Sequence, residues 1–217
     1  MSDSSCHTGR ITEIRDQVRD PERVSLFIDG EFRIGLPRIA VAERNLRVGQ
    51  ILTEEDLAEL ETVDEISRAT NQAVRLLAHR PRARRELQTR LRRNGFSDQA
   101  ISAALNRMEE LGYINDQQFA TYWVENRAEH RPRGRRLIAQ ELRAKGVSPD
   151  VIDKAVDEAE IDEYGQALEL ARQRSGRMQG LESQVWRRRM AGFLQRRGYS
   201  MEIVRRVLEE LEQAESE

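Results

Sequence analysis

Two arginine-rich strings built on the same pattern carry most of the chemistry in this sequence. Arg80-Pro-Arg-Ala-Arg-Arg85 recurs 51 residues later as Arg131-Pro-Arg-Gly-Arg-Arg136. An arginine side chain is always charged and can hold a phosphate or a carboxylate through two parallel hydrogen bonds. The strings therefore indicate a surface that binds phosphates or acidic side chains.

The distribution of charge favours the same interpretation. The formal net charge of the chain is only −2, but residues 75–145 hold 16 Lys or Arg against 8 Asp or Glu, a local net charge of +8. The stretch 209–217 is acidic. A basic middle with an acidic end suits a polyanionic or acidic partner. The alternative is that these arginines only solvate the outer faces of helices.

The candidate partner-binding or DNA-binding side chains are the basic residues of the two strings, together with further basic residues that precede the repeated glycine motifs of the chain. They are Arg80, Arg82, Arg84, Arg85, Arg92, Arg93, Arg131, Arg133, Arg135, Arg136, Arg143, Lys145, Arg187 and Arg188. If the helices that carry them repeat regularly, these side chains should form a stripe along one side of the molecule.

The residues expected of an enzyme are not found in the sequence. No glycine-rich loop of the phosphate-cradling kind occurs, and the lone cysteine, Cys6, has no base paired with it. The histidines His7, His79 and His130 lie far apart, with no cysteine or histidine at the spacing of a metal site. We therefore expect no catalytic residue, no metal and no cofactor.

Three glycines mark the elements that must position the arginines. Gly95, Gly146 and Gly198 are spaced by 51 and 52 residues. Each has apolar residues at −8 and −4, an apolar or aromatic residue at +1, serine at +2, and further apolar residues at +6 and +10. This pattern predicts a helix, a left-handed glycine turn and a second helix that begins at the serine.

The predicted fold class is mainly α, a tandem array of three three-helix repeats preceded by a small antiparallel β-sheet/helix module. In such an array neighbouring repeats bury each other's faces. The helix that precedes each glycine pair is predicted at 65–79, 116–129 and 162–174. A longer loop is expected at 175–183 in the third copy, where Gly176 and Gly180 interrupt the pattern.

The N-terminal module is read from alternating apolar residues and turn signals. The strands are predicted at 10–18, 23–28 and 31–36, with turns at Asp20-Pro21 and Asp29-Gly30. Because three strands alone are marginal, this sheet should pack on helices predicted at 38–45 and from Thr53 onward. The module is either a recognition platform or a cap on the array.

The domain organisation follows from these elements. We predict a flexible N-terminus at 1–9, a β-hairpin/helix module at 10–62, and three-helix repeats at 63–114, 115–161 and 162–217, the last with an acidic tail.

Further short motifs run in a fixed order along nearly the whole chain after residue 10. They are Phe27-Ile-Asp-Gly-Glu-Phe32, Leu46-Arg-Val-Gly-Gln50, Glu55-Asp-Leu57, Arg80-Pro81 with Glu86-Leu87, the Gly95-Phe96 turn, Leu111-Gly-Tyr-Ile-Asn-Asp116 leading into Phe119-Ala120, and Glu141-Leu-Arg-Ala-Lys-Gly-Val147. Their order and spacing resemble the RecX family of bacterial RecA regulators, in its longer form with an N-terminal extension. Two features depart from that family: Arg133-Gly-Arg135 stands where many members have a Gly-Pro-containing helix start, and the third repeat is degenerate.

The resemblance implies a protein that binds RecA in its filament on single-stranded DNA. Such a protein blocks filament growth or promotes disassembly, and so lowers the ATPase, strand-exchange and SOS coprotease activities of RecA in recombination and DNA repair. RecA and its nucleoprotein filament are the implied partners, bound along the filament groove.

Two other classes of function stay open on the residues alone. A direct DNA-binding protein is one, because a glycine turn between two helices resembles a helix-turn-helix and the arginines could contact single-stranded or duplex DNA. A generic helical scaffold for another protein is the second. In each case a monomer is the simplest expectation. We also expect a cytoplasmic protein without membrane association, since no signal-like or membrane-length apolar run occurs.

Overall fold

The computed structural model describes residues 7–214, which form an N-terminal antiparallel sheet followed by helices. The strands are β1 (His7–Gln17), β2 (Asp20–Ile28), β3 (Glu31–Pro37) and β4 (Ile51–Thr53), in the order β3-β2-β1-β4. The helices are α1 (Arg38–Glu43), α2 (Glu54–His79), α3 (Arg84–Arg93), α4 (Asp98–Glu110), α5 (Asp116–His130), α6 (Arg135–Ala144), α7 (Pro149–Glu158), α8 (Glu163–Ser175), α9 (Ser183–Arg196) and α10 (Met201–Ala214). The predicted fold class is confirmed.

Strand β1 and its turns differ in part from the prediction. Residues 7–9 of the predicted flexible start belong to β1, whereas residues 1–6, with Cys6, lie outside the described residues, as do residues 215–217 of the acidic tail. The first turn lies at residues 18–19 and not at Asp20-Pro21, because Asp20 already pairs with Gln17. The turn at Asp29-Gly30 is confirmed, with φ of 51° and 87°, as a two-residue hairpin requires.

Strand β4 was not predicted. It is three residues long and only Leu52 in it is buried, so it carries no alternation that a sequence pattern could reveal. It pairs with the start of β1, where Arg10 lies opposite Ile51. Because β4 gives β1 a second neighbour, the long first strand is not an open sheet edge along that part.

The core of the sheet lies on the face that packs against helix α2. Leu26 and Leu36 are fully buried there with Leu60 of α2. Simple alternation along β3 would place Phe32 on the same face as Leu36, but Phe32 is 59% exposed. The register shifts between Leu26 and Phe27, so Phe32 pairs with Phe27 on the other face, with the ring centroids 6.0 Å apart.

Helix α2 begins directly after Thr53, where the sequence predicted a helix start, and Thr53 forms a capping box with Asp56. The Thr53 hydroxyl accepts from the backbone N–H of Asp56, and the Asp56 carboxylate accepts from the backbone N–H of Thr53. The helix then continues for 26 residues to His79. It joins the helix expected after Thr53 to the one expected at 65–79, and it crosses the predicted boundary between residues 62 and 63.

The three glycine turns have the conformation that their spacing predicted. Gly95, Gly146 and Gly198 have φ of 88°, 85° and 91°. In each, the N–H of the following residue bonds to the carbonyl of the leucine four residues before the glycine, which satisfies a carbonyl at the helix end. These leucines are fully buried, and Ser97 caps α4 by accepting from the N–H of Ala100.

The described chain divides into two compact units. The first contains the sheet, helix α2 and Leu87–Tyr113; the second contains Pro81–Glu86 and the helices from Ile114 onward. The second unit therefore includes the start of α3, the second repeat (α5–α7) and the third repeat (α8–α10). The predicted longer loop of the third repeat is present between α8 and α9, where Met178 is buried in the core of that repeat.

Within the second unit, the glycine turn of each repeat lies against the start of a helix of the preceding repeat. The Gly146 turn meets the side chain of Arg85, and the Gly198 turn meets Gly134 and Leu137, with the N–H of Gly134 donating to the carbonyl of Arg197 at 2.9 Å. A Cβ on either turn glycine would overlap these neighbours. The glycines therefore serve both the turn and the close packing of repeats.

Acidic side chains also contribute to these two contacts between neighbouring repeats, which we call joints. The backbone N–H of Arg84 donates to Oδ1 of Asp116 at 2.9 Å, and that of Arg135 donates to Oε1 of Glu163 at 2.8 Å. Asp116 and Glu163 are the first residues of α5 and α8, so the two joints use one arrangement. Each carboxylate satisfies an N–H at a helix start, where the partial positive charge of the helix also favours it.

None of the helices within residues 7–214 is both long enough and apolar enough to cross a membrane.

Replacing Gly134 by alanine should loosen the joint between the second and third repeats. The φ of −64° at Gly134 is ordinary for alanine, so the cost is steric, because the new Cβ would overlap the carbonyl of Gly198. We expect the free energy of unfolding to fall by about 1–3 kcal/mol, measured by urea denaturation followed by circular dichroism.

Gly176→Ala is the matched control for this change. Its φ is −56° and a Cβ there meets no atom within 4 Å, so alanine should leave the stability unchanged or slightly raised. An equal loss of stability in both variants would contradict the close approach at Gly134.

Candidate functional site, an arginine groove

The structure divides the predicted arginines into side chains that hold the fold together and side chains that face solvent. Arg135 belongs to the first group. Its guanidinium donates to the carbonyls of Val156 at 2.9 Å and Ala159 at 3.1 Å. These carbonyls lie at the end of α7, where helical partners are missing and a cation is favourable. Arg135 therefore acts as a cap on α7.

Arg133 and Lys145 also take part in packing, around the buried carboxylate of Glu141. Glu141 accepts from the indole N–H of Trp123 at 2.8 Å and from Nε of Arg127 at 2.8 Å, and it forms an ion pair with Arg133. Burial, followed by the charges of nearby arginines, lowers the pKa of the Arg133 guanidinium. Lys145 lies 4.1 Å from the ring centre of Trp123. Such a network of paired charges and an aromatic ring supports one defined arrangement of the second repeat.

Two further predicted arginines form ion pairs at the surface. Nη2 of Arg92 lies 2.6 Å from Oδ1 of Asp98, and Nη1 of Arg187 lies 2.7 Å from Oε1 of Glu212. Exposed pairs of this kind contribute little to stability, because water and salt screen them. These two side chains can exchange their present partner for another at low cost.

The remaining predicted side chains differ in exposure. Arg82 and Arg84 are half-buried, whereas Arg80, Arg85, Arg93, Arg131, Arg136, Arg143 and Arg188 are exposed. In the part of the chain that the structure describes, Arg93, Arg131, Arg136, Arg143 and Arg188 form no ion pair. A fold that leaves a guanidinium unpaired at the surface does not need that charge for its own stability, so these five are the better candidates for binding.

The structure brings Arg136 and Arg143 together in one concavity of the second unit, which we call the arginine groove. It is defined by Arg136, Gln140, Arg143, Gln195 and Arg196, and its volume is about 950 Å³. Arg136 and Arg143 are seven residues apart on α6, two helical turns on the same face. Asp157 is the one carboxylate among the lining residues.

The chemistry available in the arginine groove is recognition of an oxyanion. Three guanidinium groups with two side-chain amides supply many N–H donors and a positive potential, which suits a phosphate or a carboxylate. Tyr199 also lines the groove; its residue is buried, and burial raises the pKa of its hydroxyl to about 12. The hydroxyl oxygen of Tyr199 is itself buried and has no hydrogen-bond partner among the described residues, so the arginine and glutamine side chains are the donors that the groove exposes.

The prediction from sequence missed part of this groove. Arg196 was not among the predicted residues, although it lies two residues before Gly198, the position that Arg93 occupies before Gly95. Applying the repeat register to all three copies would have found it. Gln140 and Gln195 carry no such signal, since an exposed glutamine on a helix is ordinary.

Arg135 and Arg136 are adjacent, but their replacement should have opposite consequences for stability. Arg135→Ala removes hydrogen bonds from a charged donor to the end of α7, so we expect a loss of about 1–3 kcal/mol in the free energy of unfolding. Arg136→Ala removes an exposed side chain and should change it by less than about 0.5 kcal/mol. Urea denaturation of both variants checks this, and equal losses would contradict the division into structural and exposed arginines.

Comparison with known proteins assigns the whole described architecture to one family. The models of the first, second and third three-helix domains of RecX match residues 69–108, 115–156 and 160–208. The model of the regulatory protein RecX N-terminal domain matches residues 9–53. Each repeat and the N-terminal sheet therefore has its own counterpart in that family.

Relatives that are named regulatory protein RecX match most of the chain. Regulatory protein RecX of Streptomyces coelicolor is 39% identical over 152 residues, which are 68% of this chain and 81% of the relative. Regulatory protein RecX of Bacillus subtilis is 26% identical over 203 residues, 93% of this chain and 77% of the relative.

Solved structures show the same fold. A crystal structure of regulatory protein RecX superposes with a TM-score of 0.78 at 20% identity, covering 91% of this chain and 98% of that one. RecX from Lactobacillus salivarius gives a TM-score of 0.62 at 23% identity, covering 69% of this chain and 98% of that one. Motifs, repeats and N-terminal module agree with these relatives along the chain, which therefore belongs to the RecX family of regulatory proteins.

Proposed function

We propose that this chain is an inhibitor of RecA recombinase that binds the RecA filament on single-stranded DNA and limits its growth or activity. In this proposal it acts in recombination and SOS DNA repair in the cytoplasm, as a binding protein that catalyses no reaction. The observation that carries the proposal is its membership of a family whose members are named regulatory proteins. RecA is the partner that the family resemblance implies.

The arginine groove supplies a surface suited to that partner. Its three guanidinium groups belong to side chains that the fold leaves exposed, so a partner can use them without breaking an ion pair. A filament of RecA on DNA offers phosphates and acidic side chains at a regular spacing, and both are ligands for arginine. We therefore assign filament contact first to Arg136, Arg143 and Arg196, and retain the other exposed arginines as further candidates.

Titration of the chain into RecA assembled on single-stranded DNA tests the proposal through the rate of ATP hydrolysis. We expect a saturable fall in that rate. The double variant Arg136→Glu/Arg143→Glu should need about tenfold more protein for half-inhibition, because it reverses two charges in the groove. Arg135 is left intact in this design, since its side chain caps α7.

Arg75→Glu/Lys154→Glu is the matched control, with the same change in net charge at two exposed helical positions outside the groove. It should inhibit like the unaltered chain, and circular dichroism should show equal helix content in all three proteins. Equal weakening of both variants would assign the effect to net charge and remove the groove from the proposal.

Direct DNA binding is the competing function, and the same preparation tests it. Fluorescence anisotropy with labelled single-stranded and duplex DNA at several salt concentrations measures it, because phosphate contacts make affinity fall steeply with salt. Unchanged ATP hydrolysis together with tight, salt-sensitive duplex binding would contradict the proposal and favour a DNA-binding protein.

A further inference from the structure

An acidic stretch crosses the second repeat of this arginine-rich chain. Residues 149–163 hold seven Asp or Glu against one Lys, a net charge of −6. The fold uses some of these carboxylates: Asp162 accepts from the backbone N–H of Gly165, and Glu163 accepts from that of Arg135. Glu158 and Glu160, at the end of α7 and just beyond it, are exposed. They do not serve as caps in this way, so their charge is open to another use.

The carboxylates at the end of α7 stand where a helix favours positive charge. The last turn of α7 contains Asp157 and Glu158 and no basic residue, a feature shared with α10, whereas α5, α6, α8 and α9 each have a basic residue there. The carbonyls at a helix end carry partial negative charge, so the carboxylates add to an already negative potential. Arg135 offsets this potential from the side of the arginine groove, where it donates to the carbonyls of Val156 and Ala159. Exceptions to a local stability rule are expected at functional sites.

These exposed carboxylates border a groove between α5 and the end of α7, which we call the acidic groove. Its volume is about 220 Å³. Among the described residues that line it, none is basic. It is defined by Val124, Glu125, Ala155, Glu158, Glu160 and Ile161.

The three carboxylates of the rim are available to a ligand. Glu125 and Glu160 form no ion pair with any residue that the structure describes. Glu158 lies 3.9 Å from Lys154, and both side chains are mostly exposed. Because an exposed pair at that distance contributes little, Glu158 can exchange Lys154 for another cation at low cost. The sign of the charge at the rim is therefore negative, and it favours a cationic ligand.

The size and the floor of the groove indicate which cation fits. A volume of 220 Å³ is below the range of about 300–1,000 Å³ that is usual for small-molecule sites, so the groove has room for about one large side chain. Within residues 7–214, no three acidic, histidine or cysteine side chains converge closely enough to hold a metal ion. Val124 and Ala155 are buried and give the groove an apolar floor. Arginine and lysine lay their methylene groups on such a surface and keep the charged head at its edge.

We propose that the acidic groove binds an arginine or lysine side chain from a basic segment of a partner protein. The methylene groups of that side chain lie on Val124 and Ala155, and its charged head lies against the rim carboxylates. A nucleic acid does not suit the groove, because its phosphates would meet Glu125 and Glu160. This inference rests on the α5–α7 groove and stands independently of the inhibition of RecA.

A synthetic peptide with two arginines, separated by a leucine and flanked by alanines and glycines, serves as the probe. It is titrated into the isotope-labelled full chain, and ¹H–¹⁵N NMR spectra follow the backbone amides. We expect saturable shifts at residues 121–128 and 155–161. The same peptide with citrulline in place of both arginines keeps the shape without the charge, so it should bind about tenfold more weakly. No saturable shift at these residues, or equal binding of the two peptides, would overturn the proposal.

One double variant tests the rim and another serves as its control. Glu125→Gln/Glu160→Gln removes two rim charges and should weaken binding of the arginine peptide about tenfold. Glu31→Gln/Glu43→Gln makes the same change in net charge at two exposed residues of the first unit, and it should bind like the unaltered chain. Equal binding by all three proteins, or equal weakening in the two variants, would remove the acidic groove from the proposal.

A variant of the groove wall tests its shape without changing charge. Ala128 is a half-buried lining residue on α5, and Ala128→Leu narrows the groove, so we expect weaker binding of the arginine peptide. Circular dichroism checks folding, and Glu125→Gln/Glu160→Gln remains informative if the larger side chain disturbs the packing.

Sedimentation velocity identifies the remaining alternative occupant. Self-association of the unaltered chain that is lost in Glu125→Gln/Glu160→Gln would overturn the proposal, because it would assign the groove to an arginine of a second copy. A chain that stays monomeric supports a different protein as the partner. Because no arm of this experiment contains RecA, its failure is distinguishable from failure of the proposed inhibition.

Discussion

The close approach between a glycine turn and the preceding repeat is the constraint on which the helical part of the second unit depends. At Gly146 and Gly198 the backbone comes so near to the neighbouring repeat that no Cβ fits, and the same residues need a positive φ to end their helices. One residue type satisfies both demands. The leucine that precedes each glycine is then fully buried, and the serine that follows begins the next helix. The period of the sequence is therefore the period of a packing contact.

The close packing of the repeats also determines the role of several charged side chains. A helix that starts at a joint has free N–H groups, and a helix that ends there has free carbonyls, none of which can be left without a partner when buried. Asp116 and Glu163 accept from the helix starts, and Arg135 donates to the end of α7. The arginine string 131–136 suggests a binding surface, but one of its members, Arg135, serves to cap the end of α7. The guanidinium groups that remain exposed, such as those of Arg136 and Arg143, are the ones that a partner can reach.

A repeated joint has a consequence for recognition as well. Each of the first two repeats offers the start of a helix to the glycine turn of the next repeat. The arginine groove is bordered by one of these docked turns, that of Gly198. Proteins built in this way can use equivalent positions for cohesion within the chain and for contact with partners.

The order and spacing of short motifs in the sequence were enough to recognise the family by resemblance. The helical repeats, their glycine turns and the Asp29-Gly30 hairpin could be predicted because they depend on local conformation and on periodic burial. Strand β4 and the outward position of Phe32 could not be predicted from the sequence, because a three-residue strand and a register shift are determined by the partner strand. Only the tertiary structure separated Arg135 from Arg136 and added Arg196 to the groove. Neighbouring arginines are chemically identical, and their roles differ only through the carbonyls, carboxylates and surfaces that distant parts of the chain place beside them.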